Sequence, residues 1–193
     1  MPVEPSKVIG LDYSMKELYV ASDRQRAEYP QFYRKAMGKL AREQRKLSRK
    51  KMGGKNREKQ KRKVARLHEH IGSQRSDFLH KQSRQIANAY DMVCVEDLNM
   101  RALSRALHFG KSVSDNGWGM FRNMLTYKLE EQGKQLIKID KWFPSSKMCS
   151  NCGTVKDELA LSEREYRCEC GFVCDRDVNA AINIKNEGIR LLA

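Results

Sequence analysis

Short apolar runs alternate with polar breaks along the chain. Residues 7–13 and 18–22 are β-rich runs joined by the polar segment 14–17, a pattern that predicts a β-hairpin. Residues 92–95 form a third run, typical of a buried strand, and residues 136–140 form a fourth strand-like run. Because segments of helical period separate these runs, we expect an α/β fold built on a mixed sheet with flanking helices.

Helical periodicity dominates residues 30–90. Apolar positions recur at three- and four-residue steps before and after Gly53-Gly54, so we predict two long helices folded back at this turn. Both helices are polar outside one narrow seam, which predicts a hairpin that protrudes from the body. The seam positions are Tyr33, Met37, Leu40, Gln44 and Leu47 on the first helix, and Val64, Leu67, Ile71, Phe78, Leu79, Ile86 and Tyr90 on the second.

Two more helices are predicted downstream of a polar stretch at residues 99–117, which we interpret as mostly loop. An amphipathic segment runs from Trp118 to Gln132 and ends at Gly133, with Phe121, Leu125 and Leu129 on its apolar face. A final helix is predicted over residues 178–192, with apolar positions at Ala180, Ala181, Ile184, Ile189 and Leu191.

Positive charge is concentrated at the tip of the predicted hairpin. The chain carries a formal net charge of +14, and residues 45–66 hold twelve basic side chains against one acid, Glu58. A patch this dense favours a polyanion such as a phosphate backbone, bound in a salt-dependent way and without base readout. The alternative is a solvated face that only keeps the protein in solution. The basic residues are Arg45, Lys46, Arg49, Lys50, Lys51, Lys55, Arg57, Lys59, Lys61, Arg62, Lys63 and Arg66.

Four of the six cysteines lie within residues 149–170. Cys149 and Cys152 form a C-x-x-C pair, and Cys168 and Cys170 form a C-x-C pair after an interval of fifteen residues. Apart from the shortened second pair, this matches the template of a four-thiolate site for structural Zn²⁺. Such clustering favours metal over disulfides and a reducing compartment.

Three acids occupy comparable places at the ends of predicted elements. Asp12 closes the first strand, Glu96 closes a later strand, and Asp177 opens the last helix. Asp175 is an alternative metal ligand to Asp177, since either acid could cap that helix. If the three carboxylates share a cleft, Mg²⁺ or Mn²⁺ would relieve their repulsion, and a pair of such ions can promote phosphodiester hydrolysis.

The remaining features of the sequence concern location and size. No run of eighteen apolar residues occurs, and the N-terminus lacks the apolar segment of a signal peptide, so we expect a cytoplasmic protein. A chain of 193 residues is long enough for one domain with a buried core and a small module.

Several phrases together resemble the OrfB/TnpB proteins of bacterial insertion sequences, relatives of type V CRISPR effectors. The phrases are GLDYS, VCVEDLNMRAL, SDNGWGMF, KIDKWFPSSKMCSNCG and DRDVNAAINI, and the match extends from Val8 to Ile184. The resemblance implies an RNase H-like (RuvC) nuclease domain at residues 1–144 and 175–193, with a helical hairpin inserted at about 30–90. It implies a zinc ribbon inserted at residues 145–174.

The resemblance also implies an activity and its partners. The family's catalytic carboxylates correspond to Asp12, Glu96 and Asp177, which would bind magnesium or manganese. The implied activity is two-metal-ion, RNA-guided cleavage of DNA beside a short motif, with a noncoding guide RNA from the element's own end.

Two departures from the family pattern shape these expectations. GLD begins at residue 10, so we expect a short form without the N-terminal portion that grips guide RNA and reads the DNA motif. Such a form would be an isolated nuclease domain, a truncated or decayed copy, or a product that works with another subunit or as a homo-oligomer. The C-x-C pair makes Cys174 an alternative zinc ligand to Cys170. Two other functions stay open, a non-catalytic nucleic-acid-binding regulator of transposition and a DNA strand-transfer transposase.

Overall fold

The computed structural model describes residues 7–100, 102, 115–160 and 162–192. Its elements follow the order that the hydrophobic pattern predicts, with two further short strands, Glu165–Arg167 and Val173–Asp175, that the pattern did not predict. They are β1 (Val8–Tyr13), β2 (Tyr19–Ala21), α1 (Phe32–Ser48), α2 (Lys55–Ala89), β3 (Met92–Glu96), α3 (Trp118–Glu130), β4 (Gln135–Ile139), β5 (Glu165–Arg167), β6 (Val173–Asp175) and α4 (Arg176–Arg190). Most of the loop predicted at residues 99–117 lies outside the described residues.

The main sheet has the strand order β2-β1-β3-β4. β1 and β2 form the predicted antiparallel hairpin, whereas β1 pairs with β3 and β3 pairs with β4 in parallel. Residues 25–27 add a short antiparallel segment outside β2, since Ala27 N donates to the Tyr19 carbonyl and Leu18 N donates to the Ala27 carbonyl. The sheet is therefore mixed, and the predicted α/β class is confirmed.

The two faces of the sheet carry different helices. One core cluster joins the side chains of Ile9, Leu11, Val93 and Val95 to residues of α2 and α3. On the opposite face, Met92, Cys94 and Ile139 pack with Ile184 of α4. Because successive side chains of a strand point to opposite faces, odd and even positions of β1 sort between these two layers.

Helix α4 lies very close to the sheet, and two glycines make this approach possible. A Cβ on Gly10 would sit 2.1 Å from the carbonyl oxygen of Ala181 and 2.7 Å from the backbone nitrogen of Lys185. A Cβ on Gly188 would sit 2.2 Å from the Cys94 sulfur. At Gly10 the backbone of the sheet therefore meets the backbone of α4, and at Gly188 the backbone of α4 meets the Cys94 side chain.

Helices α1 and α2 form the predicted hairpin about Gly53 and Gly54. The C-terminal half of α2 reaches the core through Leu79, Ile86 and Ala87, while its N-terminal half faces α1. None of the described helices has an apolar stretch long enough to cross a lipid bilayer.

The predicted seam of the hairpin is wrong in part. On α1 only Leu40 is buried, whereas Met37 is 45% exposed and Gln44 is also exposed. The reason is that α1 packs mainly against α2, and polar groups form much of the contact between these two helices. On α4, the predicted apolar positions Ile189 and Leu191 are likewise exposed, at 42% and 49%.

The close packing of α4 makes a stability prediction. We expect Gly10→Ala to lower the free energy of unfolding by about 3 kcal/mol, because the new methyl group would collide with backbone that has no room to move. Urea denaturation followed by circular dichroism measures the change. Gly38→Ala is the matched control: nothing lies within 4 Å of its Cβ position inside α1, so we expect a gain of about 0.5–1 kcal/mol. Equal effects of the two substitutions would contradict the tight contact.

Candidate active site, zinc centre and nucleic-acid interface

Asp12 and Glu96 lie side by side at one edge of the sheet. Leu11 pairs with Val95 in parallel register, so Asp12 and Glu96 follow one step further along neighbouring strands. Leu11 and Val95 face the α2–α3 core, and strand alternation turns the two acids to the α4 face. Residues at the carboxyl ends of parallel strands are well placed for chemistry.

Asp177 reaches the same edge from the first turn of α4. Asp175 is the cap of this helix: its carboxylate accepts hydrogen bonds from the backbone amides of Asp177 (3.0 Å) and Val178 (3.1 Å). Arg26 also pairs with the Asp175 carboxylate, at 2.8 Å. Asp175 is thus the residue that caps the helix. The carboxylate of Asp177 takes no part in the cap.

Electrostatics show that the three acids are neighbours. Burial raises the pKa of Asp12 well above its usual value, and the negative charges of Glu96 and Asp177 raise it further. Burial also raises the pKa of Glu96, and a hydrogen bond from the Ser145 hydroxyl partly offsets the effect. As whole residues, Asp12, Glu96 and Asp177 are each half-buried. The sheet and α4 therefore bring together the three acids that the sequence singled out.

The three carboxylates surround a wider gap than the ligands of one compact metal site. Among the described residues, the cysteine sulfurs are the one set of three or more candidate ligands whose atoms all lie within 4.8 Å of one another. Clustered acids with raised pKa values gain from a bound cation, since the ion replaces their mutual repulsion with attraction. The donor set of three carboxylates therefore fits hard ions such as Mg²⁺ or Mn²⁺.

Four cysteines form the second cluster: Cys149, Cys152, Cys168 and Cys170. The Cys149 and Cys170 sulfurs are 3.8 Å apart, and those of Cys152 and Cys168 are 3.6 Å apart. Tetrahedral thiolates at about 2.3 Å from zinc are separated by about 3.8 Å, whereas a disulfide requires about 2.05 Å. Hydrogen bonds to the side chain and backbone of Thr154 lower the pKa of Cys152 to about 6, which favours the thiolate. The cluster can hold one zinc ion.

A glycine closes each cysteine turn. Gly153 (φ +79°) and Gly171 (φ +87°) take the left-handed conformation directly after Cys152 and Cys170. Their amides donate back to the carbonyls of Cys149 and Cys168, at 2.9 and 3.0 Å. The shortened C-x-C pair therefore still forms a tight turn.

Cys174 lies apart from the sulfur cluster. It is on β6, paired with Tyr166 of β5, and burial raises the pKa of its thiol. Because Cys170 is within the cluster and Cys174 is not, the geometry favours Cys170 as the fourth ligand over the alternative that the sequence left open.

The basic residues predicted to bind nucleic acid are at the tip of the α1–α2 hairpin, and most of them are exposed. Arg57 differs, because its guanidinium donates to the carbonyls of Leu47 (2.9 Å) and Lys50 (3.1 Å) at the end of α1. Lys46 pairs with Glu43 at 2.8 Å. Lys50 is half-buried, and the exposed members are Arg45, Lys46, Arg49, Lys51, Lys55, Lys59, Lys61, Arg62, Lys63 and Arg66.

Asp115 fixes the base of this hairpin, a role that the sequence did not reveal. The N-cap of α1, Gln31, makes no side-chain cap. Instead, the Asp115 carboxylate accepts from the backbone amides of Tyr33 (3.1 Å) and Arg34 (3.4 Å) and pairs with Arg75 of α2 at 3.5 Å. One buried acid from a remote segment thus ties both hairpin helices to the body.

Comparisons with known proteins identify two family models that match this chain. The OrfB/IS605 family, described as a probable transposase, matches residues 1–107, and the Cas12f1-like TNB domain matches residues 118–184. A Streptomyces pristinaespiralis protein named "Putative RNA-guided DNA endonuclease" is 43% identical and aligns with 94% of this chain and 45% of its own length. An Escherichia coli (strain K12) protein named "Putative RNA-guided DNA endonuclease InsQ" is 34% identical and aligns with 100% of this chain and 52% of its own length.

A solved structure shares the fold. The Cas12f1 chain in a cryo-EM complex with single-guide RNA and target DNA superposes with a TM-score of 0.68 at 21% identity, over 96% of this chain and 51% of that chain. The mixed sheet with its helices is thus an arrangement already known in that protein. The chain belongs to the OrfB/IS605 family. It spans about half the length of the curated relatives it matches.

The sulfur cluster predicts which cysteine controls metal content. We expect Cys174→Ser to retain about one zinc per chain and Cys170→Ser to lose most of it, because only Cys170 stands within the cluster. Elemental analysis of purified protein measures zinc, and thermal unfolding should show the lower midpoint for Cys170→Ser. Zinc loss in Cys174→Ser with retention in Cys170→Ser would reverse the assignment.

The raised pKa of Asp12 predicts a pH-dependent stability. A carboxyl whose folded pKa is raised favours the fold when protonated, so its contribution is lost as pH rises through that pKa. We expect Asp12→Asn, in zinc-loaded protein without magnesium, to unfold at a higher temperature than wild type at about pH 8. The advantage should shrink towards about pH 5, and comparing the two proteins cancels the acid sensitivity of the zinc site. An Asp12→Asn protein that is less stable at about pH 8 would contradict the buried cluster.

Proposed function

We propose that this chain is the nuclease portion of a transposon-encoded, RNA-guided DNA endonuclease. One observation carries the proposal: Asp12, Glu96 and Asp177 come from three separate elements and come together at one edge of the sheet. Acids so arranged destabilise the metal-free fold, which makes sense if cation binding is their purpose. The names of the relatives supply the RNA guide and the DNA substrate.

The sheet supports assignment to the RNase H-like (RuvC) class. An antiparallel hairpin extended by two parallel strands presents the acids at the carboxyl ends of β1 and β3. We assign residues 1–144 and 175–193 to this domain and residues 145–174 to a zinc ribbon. The small β5–β6 sheet and the four-sulfur cluster are the features that support a ribbon.

The chemistry follows from the acids and their surroundings. Bound Mg²⁺ or Mn²⁺, as a pair, would activate water and stabilise the leaving oxygen. Asp12 and Glu96 would hold the ions from the sheet, and Asp177 would hold them from α4. Arg26, anchored between Glu17 (3.0 Å) and Asp175 (2.8 Å), keeps the capping acid in place beside them.

The hairpin would supply most of the affinity for nucleic acid. Its exposed basic tip is on a rigid base fixed by Asp115, so the charge is presented at a defined distance from the carboxylates. Phosphate contacts of this kind position a strand without reading its sequence, which leaves target choice to the guide RNA. We place the protein in the bacterial cytoplasm at the nucleoid, where both partners are found.

A cleavage assay tests this function. Purified protein, with the RNA that co-purifies with it, should cut labelled DNA in Mg²⁺ or Mn²⁺, with single strands favoured. Asp177→Asn should reduce cleavage to background, because it removes one ligand of the cation site. Asp157→Asn is the matched control, since Asp157 is an exposed acid of the ribbon, and it should cut at the wild-type rate.

Two results would contradict the function. Equal residual cutting by wild type and Asp177→Asn would identify a contaminant. Salt-dependent DNA binding with no metal-dependent cutting of any substrate would favour a regulator that only binds.

A further inference from the structure

Ser145 touches one of the three acids without being an acid itself. Its Oγ donates a hydrogen bond to Oε1 of Glu96, and the residue is only 6% exposed. A hydroxyl bonded to one carboxylate oxygen limits rotation of the side chain and leaves the other lone pairs available. Glu96 is therefore held in place from outside the strand that carries it.

The loop that carries Ser145 is clamped by two asparagines of α4. Asn183 Nδ2 donates to the carbonyls of Ser145 (2.8 Å) and Met148 (2.7 Å). Asn179 Nδ2 donates to the Met148 carbonyl (2.7 Å), and its Oδ1 accepts from the Ser150 amide (3.0 Å). Both asparagines are buried, at 0% and 2% exposure, and they lie one helical turn apart on the same helix face. Buried amides satisfied in this way hold a loop in one conformation.

The clamped loop leads directly into the cysteine cluster. Met148 precedes Cys149, which is 1% exposed and belongs to the four-sulfur group, and Ser150 follows it. The same short segment thus contacts Glu96 at one end and the metal-binding sulfurs at the other. Helix α4, which bears Asp177, contacts this segment between them.

We propose that Ser145 is a positioning residue for Glu96, held in place by the loop that Asn179 and Asn183 clamp. The inference rests on the proposed function, because it gives Glu96 the role of a cation ligand. A free glutamate side chain loses rotamer freedom when it binds a metal. With the Ser145 hydrogen bond already formed, Glu96 meets the cation in its binding orientation. Partners of metal ligands commonly affect metal affinity by about 10–100-fold.

The alternative role for Ser145 is ordinary satisfaction of a buried hydroxyl. Two features argue for positioning. The acceptor is the carboxylate of Glu96, whereas a buried serine on a helix, such as Ser83, bonds the backbone carbonyl of its own helix. The backbone of Ser145 is bonded separately by Asn183. Both the side chain and the carbonyl of Ser145 are therefore fixed by remote elements.

Mn²⁺ binding to the zinc-loaded full chain tests the proposal. Titration calorimetry compares wild type, Ser145→Ala, Ser145→Thr, Ser146→Ala and Asp12→Asn. We expect Ser145→Ala to bind Mn²⁺ about tenfold more weakly, with unchanged zinc content. Ser145→Thr, which keeps the hydroxyl, should restore most of the affinity. Ser146, for which the described structure shows no side-chain hydrogen bond, is the matched control and should behave as wild type.

The loop clamp adds a second readout. Asn183→Ala should weaken Mn²⁺ binding in wild type but add little in Ser145→Ala, because both changes would release the same contact. Full additivity of the two losses would overturn the route through Ser145. A Mn²⁺ affinity of Ser145→Ala within twofold of that of wild type would also overturn the proposal. An equal loss of affinity in Ser145→Ala and Ser145→Thr would overturn it as well, because it would show that packing, and not the hydroxyl, causes the effect.

Failure of the proposed function would look different. If wild type and Asp12→Asn bind Mn²⁺ equally, the carboxylates are not a cation site, and both the function and this inference fall. If wild type binds Mn²⁺, Asp12→Asn does not, and Ser145→Ala binds as wild type, only the role of Ser145 is wrong.

Discussion

The site depends on how closely α4 lies against the sheet. Gly10 on β1 and Gly188 on α4 remove the side chains that would otherwise separate the two layers. Only with this spacing does the first turn of the helix bring Asp177 to the strand ends that carry Asp12 and Glu96. At Gly10 the contact is backbone against backbone, so it has little freedom to adjust. Packing at this one interface therefore sets the geometry of the acids.

The acids themselves work against the fold. Burial and mutual repulsion raise the pKa of Asp12, and burial raises that of Glu96. A protein keeps such a cluster only if surrounding contacts hold it together. Here the contacts are the helix cap made by Asp175, its ion pair with Arg26, and the loop clamped by the α4 asparagines. The residues that hold this region together are therefore different from the three clustered acids.

Much of this architecture could be predicted from the sequence. Period and turn residues correctly indicate the β-hairpin, the α1–α2 hairpin about Gly53-Gly54, and the order of the later strands. Cysteine spacing indicates the sulfur cluster, because four cysteines within 22 residues, in two closely spaced pairs, are typical of a zinc site. The sequence also predicts that Asp12 and Glu96 lie close together, because the carboxyl ends of parallel strands lie at the same edge of a sheet.

What the sequence did not reveal depends on contacts between residues far apart. The choice between Asp175 and Asp177 as helix cap requires the geometry of the turn. Asp115 caps a helix more than eighty residues away. No local sequence pattern predicts a hydrogen bond between residues so far apart. Arg57 looks like any other residue of the basic tip until its bonds to the α1 carbonyls are seen. The sequence pattern therefore fails to predict the roles of polar residues whose partners are remote in the chain.

Anomalous diffraction from crystals grown with Mn²⁺, recorded at the manganese and zinc absorption edges, tests the central claim most directly. The account predicts manganese between Asp12, Glu96 and Asp177, as two peaks about 3.5–4 Å apart, and zinc among the four clustered cysteines. Manganese elsewhere on the surface, with none between the three acids, would contradict it.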